Sequence, residues 1–475
     1  MQKNAEIFDF KLNNLSMRKI LTFFAGTLIT GSLLAGGLVT NNNHSAMFTR
    51  LLNRNASTDI DAVYFNPAGL TSLGDGFHFS INNQTISQTQ TITSDYSVLS
   101  GTKPREFVGK VSAPIYPGIY VAYKTGKLVF SAGFNPIGGG GGATYKTGLP
   151  SIETRVADLK PLLTGMGLTT TNYTADIFFE GSSIYFGYQA NVSYAISDKI
   201  SAAIGGRLVS AKNTYTGHIN DIMINPLYAG NPTSALISAP VFFTGIGRTD
   251  YAAMTSNTEA DANMKGSGIT PIISINVTPS ENLNLSLRYE FKTKLNLKTT
   301  VNDGKSAGMF IQDSVAIADL PAAISFGLNF RPIEKLMLSG SFNYYFDQSV
   351  DYDGQKNVDI NQIDKNFMEF GLGAEYSLSD KLRVSAGWAA TITGVNSNYQ
   401  SDMSYSTNTN SVGAGFGYRI NDMIDVNIGG QLAIYQEGTK SFTHYLSPTI
   451  GIPVVETYNK STWIIGAGVN FYFGK

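Results

Sequence analysis

No cysteine occurs in the 475 residues. That excludes disulfides, thiolate metal sites, cysteine nucleophiles and a lipid-modified N-terminal cysteine. Charge is scarce too: 34 basic and 35 acidic residues make up 15% of the chain, so there is no basic face for nucleic acid. A hydrophobic content of 43% is ordinary and argues against a polytopic helical membrane protein. The four histidines (His44, His78, His218, His444) are scattered, without the spacing of metal ligands. The glycine run at 138–142 continues as Ala-Thr-Tyr-Lys-Thr, not as the Gly-Lys-Ser/Thr of a phosphate-binding loop. "DYDGQKNVD" (Asp351–Asp359) lacks the spacing and final glutamate of a calcium loop and reads as a solvated acidic loop. No catalytic residue, metal or cofactor is expected.

What the chain does contain is 49 glycines, 12% aromatics and abundant Asn, Ser and Thr, a β-rich composition. At the N-terminus, Met17-Arg18-Lys19 precedes the apolar run Ile20 to Leu34 and the small residues Ala35-Gly36-Gly37. A charged start, a short apolar core and a small-residue exit describe a secretory signal. Residues 1–35 are therefore expected to be a signal peptide, with Met17 as the true start and cleavage near Ala35.

Beyond residue 75 apolar and polar residues alternate in segments of about ten, joined by tight turns and longer connections in turn. In "KLMLSGSFNYYF", Leu336, Leu338, Phe342, Tyr344 and Phe346 share one face and Met337, Ser339, Ser341, Asn343 and Tyr345 the other, as a period of two dictates. Short turns fall near 124–127, 197–199, 280–282, 331–335, 379–381 and 421–423. Long connections are expected near 94–108, 146–178, 212–265, 300–318, 347–365, 396–408 and 437–460. About fourteen segments with short turns at one end and long loops at the other make an all-β, 14-stranded antiparallel transmembrane β-barrel the expected fold. The second face carries Arg207, Arg288, Glu290, Glu369, Glu375, Arg383, Arg419 and Asp425. A soluble sandwich core would not accept these unpaired, whereas a wet lumen would. Residues 36–75 do not alternate and are expected to form an N-terminal hatch plugging the lumen, with 76–475 as the barrel. In it Asn66-Pro67 reads as a turn, and Ala68-Gly69 permit close backbone approach.

"DIDAVYFNPAGLTSLGDGFHFS" (Asp59–Ser80), together with the signal, the hatch and the fourteen segments, resembles the FadL/TodX type of outer-membrane transporters for long-chain fatty acids and toluene. The terminal "NFYFGK" resembles the assembly signal of bacterial outer-membrane barrels, with two residues after its last aromatic. The resemblance implies a lumen filled by the hatch, an inward kink in the third strand, and sideways exit of hydrophobic substrates through the kink. The expected location is the outer membrane of a Gram-negative bacterium. The expected partners are a hydrophobic small molecule and outer-membrane lipid, including lipopolysaccharide; no nucleic acid is expected, and the chain is expected to be a monomer. A porin for polar solutes, an outer-membrane enzyme and an adhesin are the alternatives.

Two stretches single themselves out. In "FNPIGGGGGATY", Phe134, Asn135 and Pro136 run into Gly138, Gly139, Gly140, Gly141 and Gly142. Proline cannot donate to a ladder and glycine weakens pairing. Residues 127–134 span fewer positions than the nine to eleven a tilted membrane strand needs. The break is expected inside the bilayer or at its rim, as a lateral opening; a flexible extracellular loop is the alternative. Ser151 to Leu168 has a capping serine with Ile152, Val156, Leu159 and Leu163 at helical spacing. Asp221 to Gly247, with Leu236, Ile237, Val241, Phe242 and Phe243, is unusually apolar for a connection facing water. These residues either pack on each other or form an extracellular hydrophobic groove; the groove is the expectation.

Overall fold

The computed structural model describes residues 45–350 and 362–473. The expected signal peptide, residues 36–44 of the expected hatch and the acidic loop 351–359 lie outside the described residues. The strands are β1 (Gly76–Ser94), β2 (Arg105–Thr125), β3 (Leu128–Tyr145), β4 (Tyr173–Ala195), β5 (Ile200–Ile224), the short β6 (Ile237–Ser238), β7 (Thr258–Ser280), β8 (Leu283–Glu290) and β9 (Asn296–Ser306). They continue with β10 (Val315–Ile317), β11 (Ala323–Ile333), β12 (Leu336–Tyr345), β13 (Phe367–Ser377), β14 (Leu382–Ile392), β15 (Thr409–Asn421), β16 (Ile424–Tyr435), β17 (Gly438–Ser447) and β18 (Ile450–Tyr472). β8 with β9, β10 with β11, and β16 with β17 each run on as one wall strand, and β6 stands outside the wall. The result is a closed barrel of 14 antiparallel strands. It closes where β1 pairs with β18, from His78 opposite Tyr472 to Ser94 opposite Glu456. Closure leaves no unpaired sheet edge to face lipid.

Alternation sorts the two faces. Ile204, Leu208, Ile269, Ile273, Trp388, Val412 and Phe416 are exposed on the outside. Ser80, Asn82, Arg207, Ser274, Asn276 and Asn427 are buried on the inside. Near the tight turns Phe77, Tyr123, Phe130, Tyr194, Tyr376, Tyr418 and Phe473 are exposed, an aromatic girdle at one rim. Most inward charges pair: Arg207 with Glu290 at 2.7 Å, Arg50 with Glu375, and Arg383 with Asp425; Glu369 accepts instead from Tyr345 OH (2.9 Å) and Asn343 Nδ2 (3.2 Å). Arg419 departs from the expectation; it is exposed at the turn end of β15.

The strands also outrun the segments expected from alternation. β4, β5 and β7 are 23, 25 and 23 residues long, well beyond a membrane span, because above the lipid the outer face turns polar while backbone pairing continues. The expected connection at 437–460 is a correction of this kind. It is the β17–β18 hairpin, paired from Gly438 opposite Tyr458 to Ser447 opposite Ile450.

The N-terminal segment lies inside the cylinder. It comprises α1 (Ala46–Leu51), α2 (Ala62–Phe65) and a tight 3-10 turn at Pro67–Ser72. α1 contacts β13, β14, β15, β16 and β18, while the 3-10 turn contacts β3, β4, β5 and β7, so the segment touches the wall on opposite sides. Above the barrel lie α3 (Pro150–Ala157), α4 (Leu159–Gly165), α5 (Ala239–Gly245) and α6 (Thr249–Met254). The single helix expected from Ser151 is two helices. Leu149 precedes α3 without a side-chain cap, and Pro150 occupies its first turn, a position that suits a residue without N–H. Pro161 removes the bond that would carry α3 into α4.

Candidate functional site

The luminal segment is held by polar bonds along its whole length. In α1, Arg50 reaches Glu375, Ser385 Oγ (2.8 Å) and Asn427 Oδ1 (3.1 Å). Arg54 binds Asp61 at 2.8 Å and Asp59 at 2.6 Å, so the buried Arg54 and Asp61 are paired as burial requires. Asn66 and Ala68 are fully buried. Asn66 Nδ2 donates to Ser57 O (2.9 Å) and to Asn276 Oδ1 on β7 (2.8 Å). Ala68 N donates to Ser274 Oγ (2.9 Å), and the carbonyls of Pro67 and Ala68 accept from Ser193 Oγ (2.7 Å) and Ser201 Oγ (2.8 Å). At Gly69 a Cβ would lie 2.4 Å from Ser57 O, so only glycine allows this close passage. Asn66–Gly69 is thus a junction tied to β4, β5 and β7.

The third wall strand is where regular pairing fails. β2 and β3 pair from Thr125–Leu128 to Ile119–Phe134 and again from Val111–Ala143 to Gly109–Tyr145; between these, 112–118 and 135–142 do not pair. The cause is surplus length. From Leu128 to Tyr145, β3 takes 17 residue steps while its β4 partners, Tyr194 to Phe179, take 15. From Phe107 to Val121, β2 takes 14 steps while its β1 partners, Ile92 to Phe79, take 13. One extra residue on β2 and two on β3 cannot lie flat in the wall, so the strands buckle. On β3 the excess falls at Ile137 and at Gly139–Gly140, between the pairs Pro136–Phe186, Gly138–Tyr185 and Gly141–Ser183. Gly139 has φ +98°, and a Cβ there would meet Ser183 O at 2.3 Å. Asn135, Pro136, Ile137 and Gly138 are buried and Ile137 belongs to the same buried apolar cluster as Val63 and Phe65, so the buckle points inward. At its lower edge Phe134 stacks on Phe186 (5.6 Å) and meets Tyr188 at a tilt (5.0 Å).

Height follows from counting. The unpaired residues of β3 are the eighth to fifteenth from its tight turn, and a spanning strand needs about nine to eleven. The interruption therefore begins within the length of such a span and extends past it. Because Ala143 to Tyr145 pair again on both sides, Gly138 to Gly142 belong to the wall and not to a loop.

A cavity of about 400 Å³ occupies the lumen above the N-terminal segment, within the range of small-molecule sites. Phe48, Leu52 and Phe65 form its floor, and Val111, Ala113, Tyr116, Gly139 and Ala143 bring it to both sides of the interrupted ladder. Tyr145, Tyr185 and Tyr215 add aromatic surface. Among the described residues one lysine and two carboxylates, Glu369 and Asp402, line it; Lys460 Nζ donates to Tyr405 O (2.7 Å) and lies 4.0 Å from the Tyr405 ring. Among the described residues no carboxylate lies within ion-pair distance of that ammonium. Thr407 Oγ1 and Gln431 Oε1, which also line the cavity, are buried without a hydrogen-bond partner.

Above the cavity the loops form a compact apolar cap. Ile152, Val156, Leu159, Leu163, Phe242 and Phe243 are buried in one cluster with Tyr96, Phe107, Ile177 and Tyr251. Six of the nine expected groove residues thus pack on one another and on the loop below. Leu236 and Val241 are exposed, and Ile237 pairs with Ile224. Asp158 ties the cap down, accepting from Tyr96 OH (2.6 Å) and lying 2.8 Å from His444 Nε2. Glu153 accepts from Tyr173 OH (2.7 Å) and pairs with Arg105 (2.8 Å). Burial pushes its carboxyl above the usual range, outweighing those two partners. Burial likewise raises Asp402, which accepts from Ser151 N.

Several residues of this site were not singled out from sequence: Lys460, Tyr116, and the prolines Pro114 and Pro117 opposite the glycine run. The prolines carried a readable signal, since two prolines in a central strand contradict continuous pairing.

No protein-family model matches the chain, and no curated protein does. Solved structures do. A FadL homologue of Pseudomonas aeruginosa superposes with a TM-score of 0.64 at 14% identity, over 92% of this chain and 100% of that one. The Pseudomonas putida toluene transporter TodX gives 0.54 at 14%, over 88% and 95%. The Ralstonia pickettii toluene transporter TbuX gives 0.52 at 16%, over 92% and 99%. At these identities the likeness is one of fold, and it extends over nearly the whole described chain.

Proposed function

We propose that this barrel is an outer-membrane channel that admits hydrophobic small molecules and releases them sideways into the membrane at the β2–β3 gap. The observation that carries the reading is the cavity that touches both sides of an interrupted ladder in the barrel wall. A sparingly soluble molecule gains by moving from water into an aromatic-lined cavity and again by moving into lipid, so transport down a gradient needs no energy source. The N-terminal segment acts as a hatch that closes the axial route, and Ile137 couples it to the buckled strand. Apolar residues left exposed among the loops, such as Leu236 and Val241, are first contacts for such molecules. The protein works as a monomer surrounded by outer-membrane lipid, as each barrel has its own cavity and its own gap.

Lys460 supports amphipathic acids such as long-chain fatty acids over purely neutral hydrocarbons, because a half-buried ammonium without an ion-paired carboxylate favours an anionic ligand. Labelled oleate and labelled toluene are compared for uptake by cells with and without the protein. Faster uptake of oleate, reduced in Lys460→Met while toluene is unaffected, supports both parts. Equal uptake of both compounds with and without the protein overturns the channel reading. Oleate uptake that is indifferent to Lys460→Met overturns only the acid preference.

A further inference from the structure

The outer face of the barrel carries three lysines abreast. Lys212 on β5 is the direct cross-strand partner of Lys265 on β7, and Lys265 is that of Lys298 on β9. All three are exposed, while their chain neighbours Ala211, Met264 and Leu297 are buried inside, so the ammonium groups point away from the lumen. Directly opposite Cβ atoms in a sheet lie about 5 Å apart, and like charges so placed repel. Lys298 has a partner, Asp313 at 2.8 Å. Among the described residues Lys212 and Lys265 have no carboxylate within ion-pair distance.

The row sits at a defined height. On β5 the exposed apolar residues Ile204 and Leu208 lie below Lys212; on β7 Ile273 and Ile269 lie below Lys265; on the next wall strand Leu287 and Phe291 lie below Lys298. On β5 and β7 the last exposed apolar residue lies four residues from the lysine; on the third strand Phe291 lies seven residues before Lys298, whose direct partner on β10 is the exposed Val315, and Lys294 adds a fourth exposed ammonium near that edge. The row therefore lies at the boundary between acyl chains and headgroups on the long-loop side of the barrel. There the unneutralised Lys212 and Lys265, with Lys298 beside them, are stabilised by nearby anions, and doubly charged phosphates supply charge-assisted bonds to several ammonium groups at once. We propose that Lys212, Lys265 and Lys298 form a docking site for the phosphates of an outer-leaflet lipopolysaccharide, with its acyl chains lying along Leu208, Ile269 and Phe291. This rests on reading the chain as an outer-membrane barrel and does not depend on which molecules it transports.

The test uses full-length protein, delipidated in detergent and titrated with bisphosphoryl lipid A, dephosphorylated lipid A and inorganic pyrophosphate, with bound lipid counted by native mass spectrometry. Saturable binding of bisphosphoryl lipid A is expected. It should weaken about tenfold or more in the Lys212→Ser/Lys265→Ser/Lys298→Ser variant and persist in the triple arginine variant, which keeps the charge-assisted bonds. Heat-modifiable gel mobility reports that each barrel is folded. Should the triple serine variant not fold, Lys265→Ser, the central position alone, carries the test with the same expected direction. Equal affinity in wild type and folded serine variants overturns the proposal. So does dephosphorylated lipid A binding as tightly as the phosphorylated form, or pyrophosphate binding as tightly as the lipid. Toluene and oleate uptake by the serine variant is expected to stay at wild-type level, so failure of lipid docking and failure of the channel reading give different results.

Discussion

If surplus length makes the gap, removing the surplus should close it. Deleting Ile115 from β2 and Ile137 and Gly140 from β3 brings both strands into step with β1 and β4. Replacing Pro114, Pro117 and Pro136 by threonine restores their N–H groups, and replacing the remaining glycines of 138–142 by valine or threonine favours extended backbone. Six residues on each strand then face one another where 112–118 and 135–142 are now unpaired. At about 1 kcal/mol net per bond, roughly six new ladder bonds should stabilise the barrel by about 6 kcal/mol. The temperature at which the barrel loses its heat-modifiable gel mobility should rise accordingly, while uptake of labelled toluene or oleate falls to that of cells without the protein. The refuting result is a folded, stabilised barrel that takes up either compound at the wild-type rate; the cavity would then discharge by another route.

Fixing the hatch separates the lateral from the axial route. A Cβ on Gly466 would lie 3.1 Å from Thr49 Cβ, close to the about 3.5 Å minimum for disulfide partners, and the chain has no other cysteine. Oxidised Thr49→Cys/Gly466→Cys protein should transport as well as reduced protein; transport that returns only on reduction would refute a lateral exit. Arg50→Met strands the buried Glu375 carboxylate, a loss of about 3–5 kcal/mol, and should loosen α1 enough to raise ionic conductance in planar bilayers. An unchanged conductance would show that α1 does not seal the lumen. For the cap, the raised Glu153 carboxyl binds its proton more tightly in the docked state. Docking is therefore strongest below the ordinary carboxylate range and weakens as pH rises through the raised value. Hydrogen exchange across 150–157, corrected for intrinsic rates, should be slower at pH 5 than at pH 8, and Glu153→Gln should reduce the difference. No difference in wild type would refute the assignment.

The barrel was legible because its physics is local. Period-two alternation marks the wall wherever lipid lies on one side and water on the other, and short turns such as Gly126-Lys127 punctuate it. Alternation ceases to report strands above the membrane, and for that reason β17 and the upper half of β18 read as a loop. Proline and glycine at 136–142 announced a fault in β3, and there its pairing with β2 stops. The size of the fault was not legible, because surplus residues exist only relative to a partner strand, and pairing is a long-range property. Lys460 was hidden for the same reason: nothing in "YNKSTW" says that its ammonium faces a cavity floored by Phe48 and Leu52. The apolar loops could be read as groove or core, and only packing decided that Ile152, Phe242 and their neighbours bury one another.

An interrupted ladder in contact with lipid would ordinarily be ruinous, since backbone groups without partners are costly there. The residues beside this gap limit the damage. Pro114, Pro117 and Pro136 have no N–H to strand. The Pro114 carbonyl accepts from Thr85 Oγ1 (3.0 Å) and Asn83 Nδ2 (3.2 Å), and Asn83 Oδ1 accepts from Tyr116 N (2.9 Å). The Pro136 carbonyl accepts from Asn135 Nδ2 (3.2 Å). Asn83 and Thr85 continue the outward face of Ile81 on β1, a face that should hold apolar residues if it only met acyl chains. Their polarity is accounted for by the backbone they serve. A barrel in which the fault were accidental would have no reason to place donors and prolines around it on three adjacent strands. The gap is therefore a supported structure with its own hydrogen-bond inventory, as the proposed passage, which must stay folded while cargo moves through it, requires.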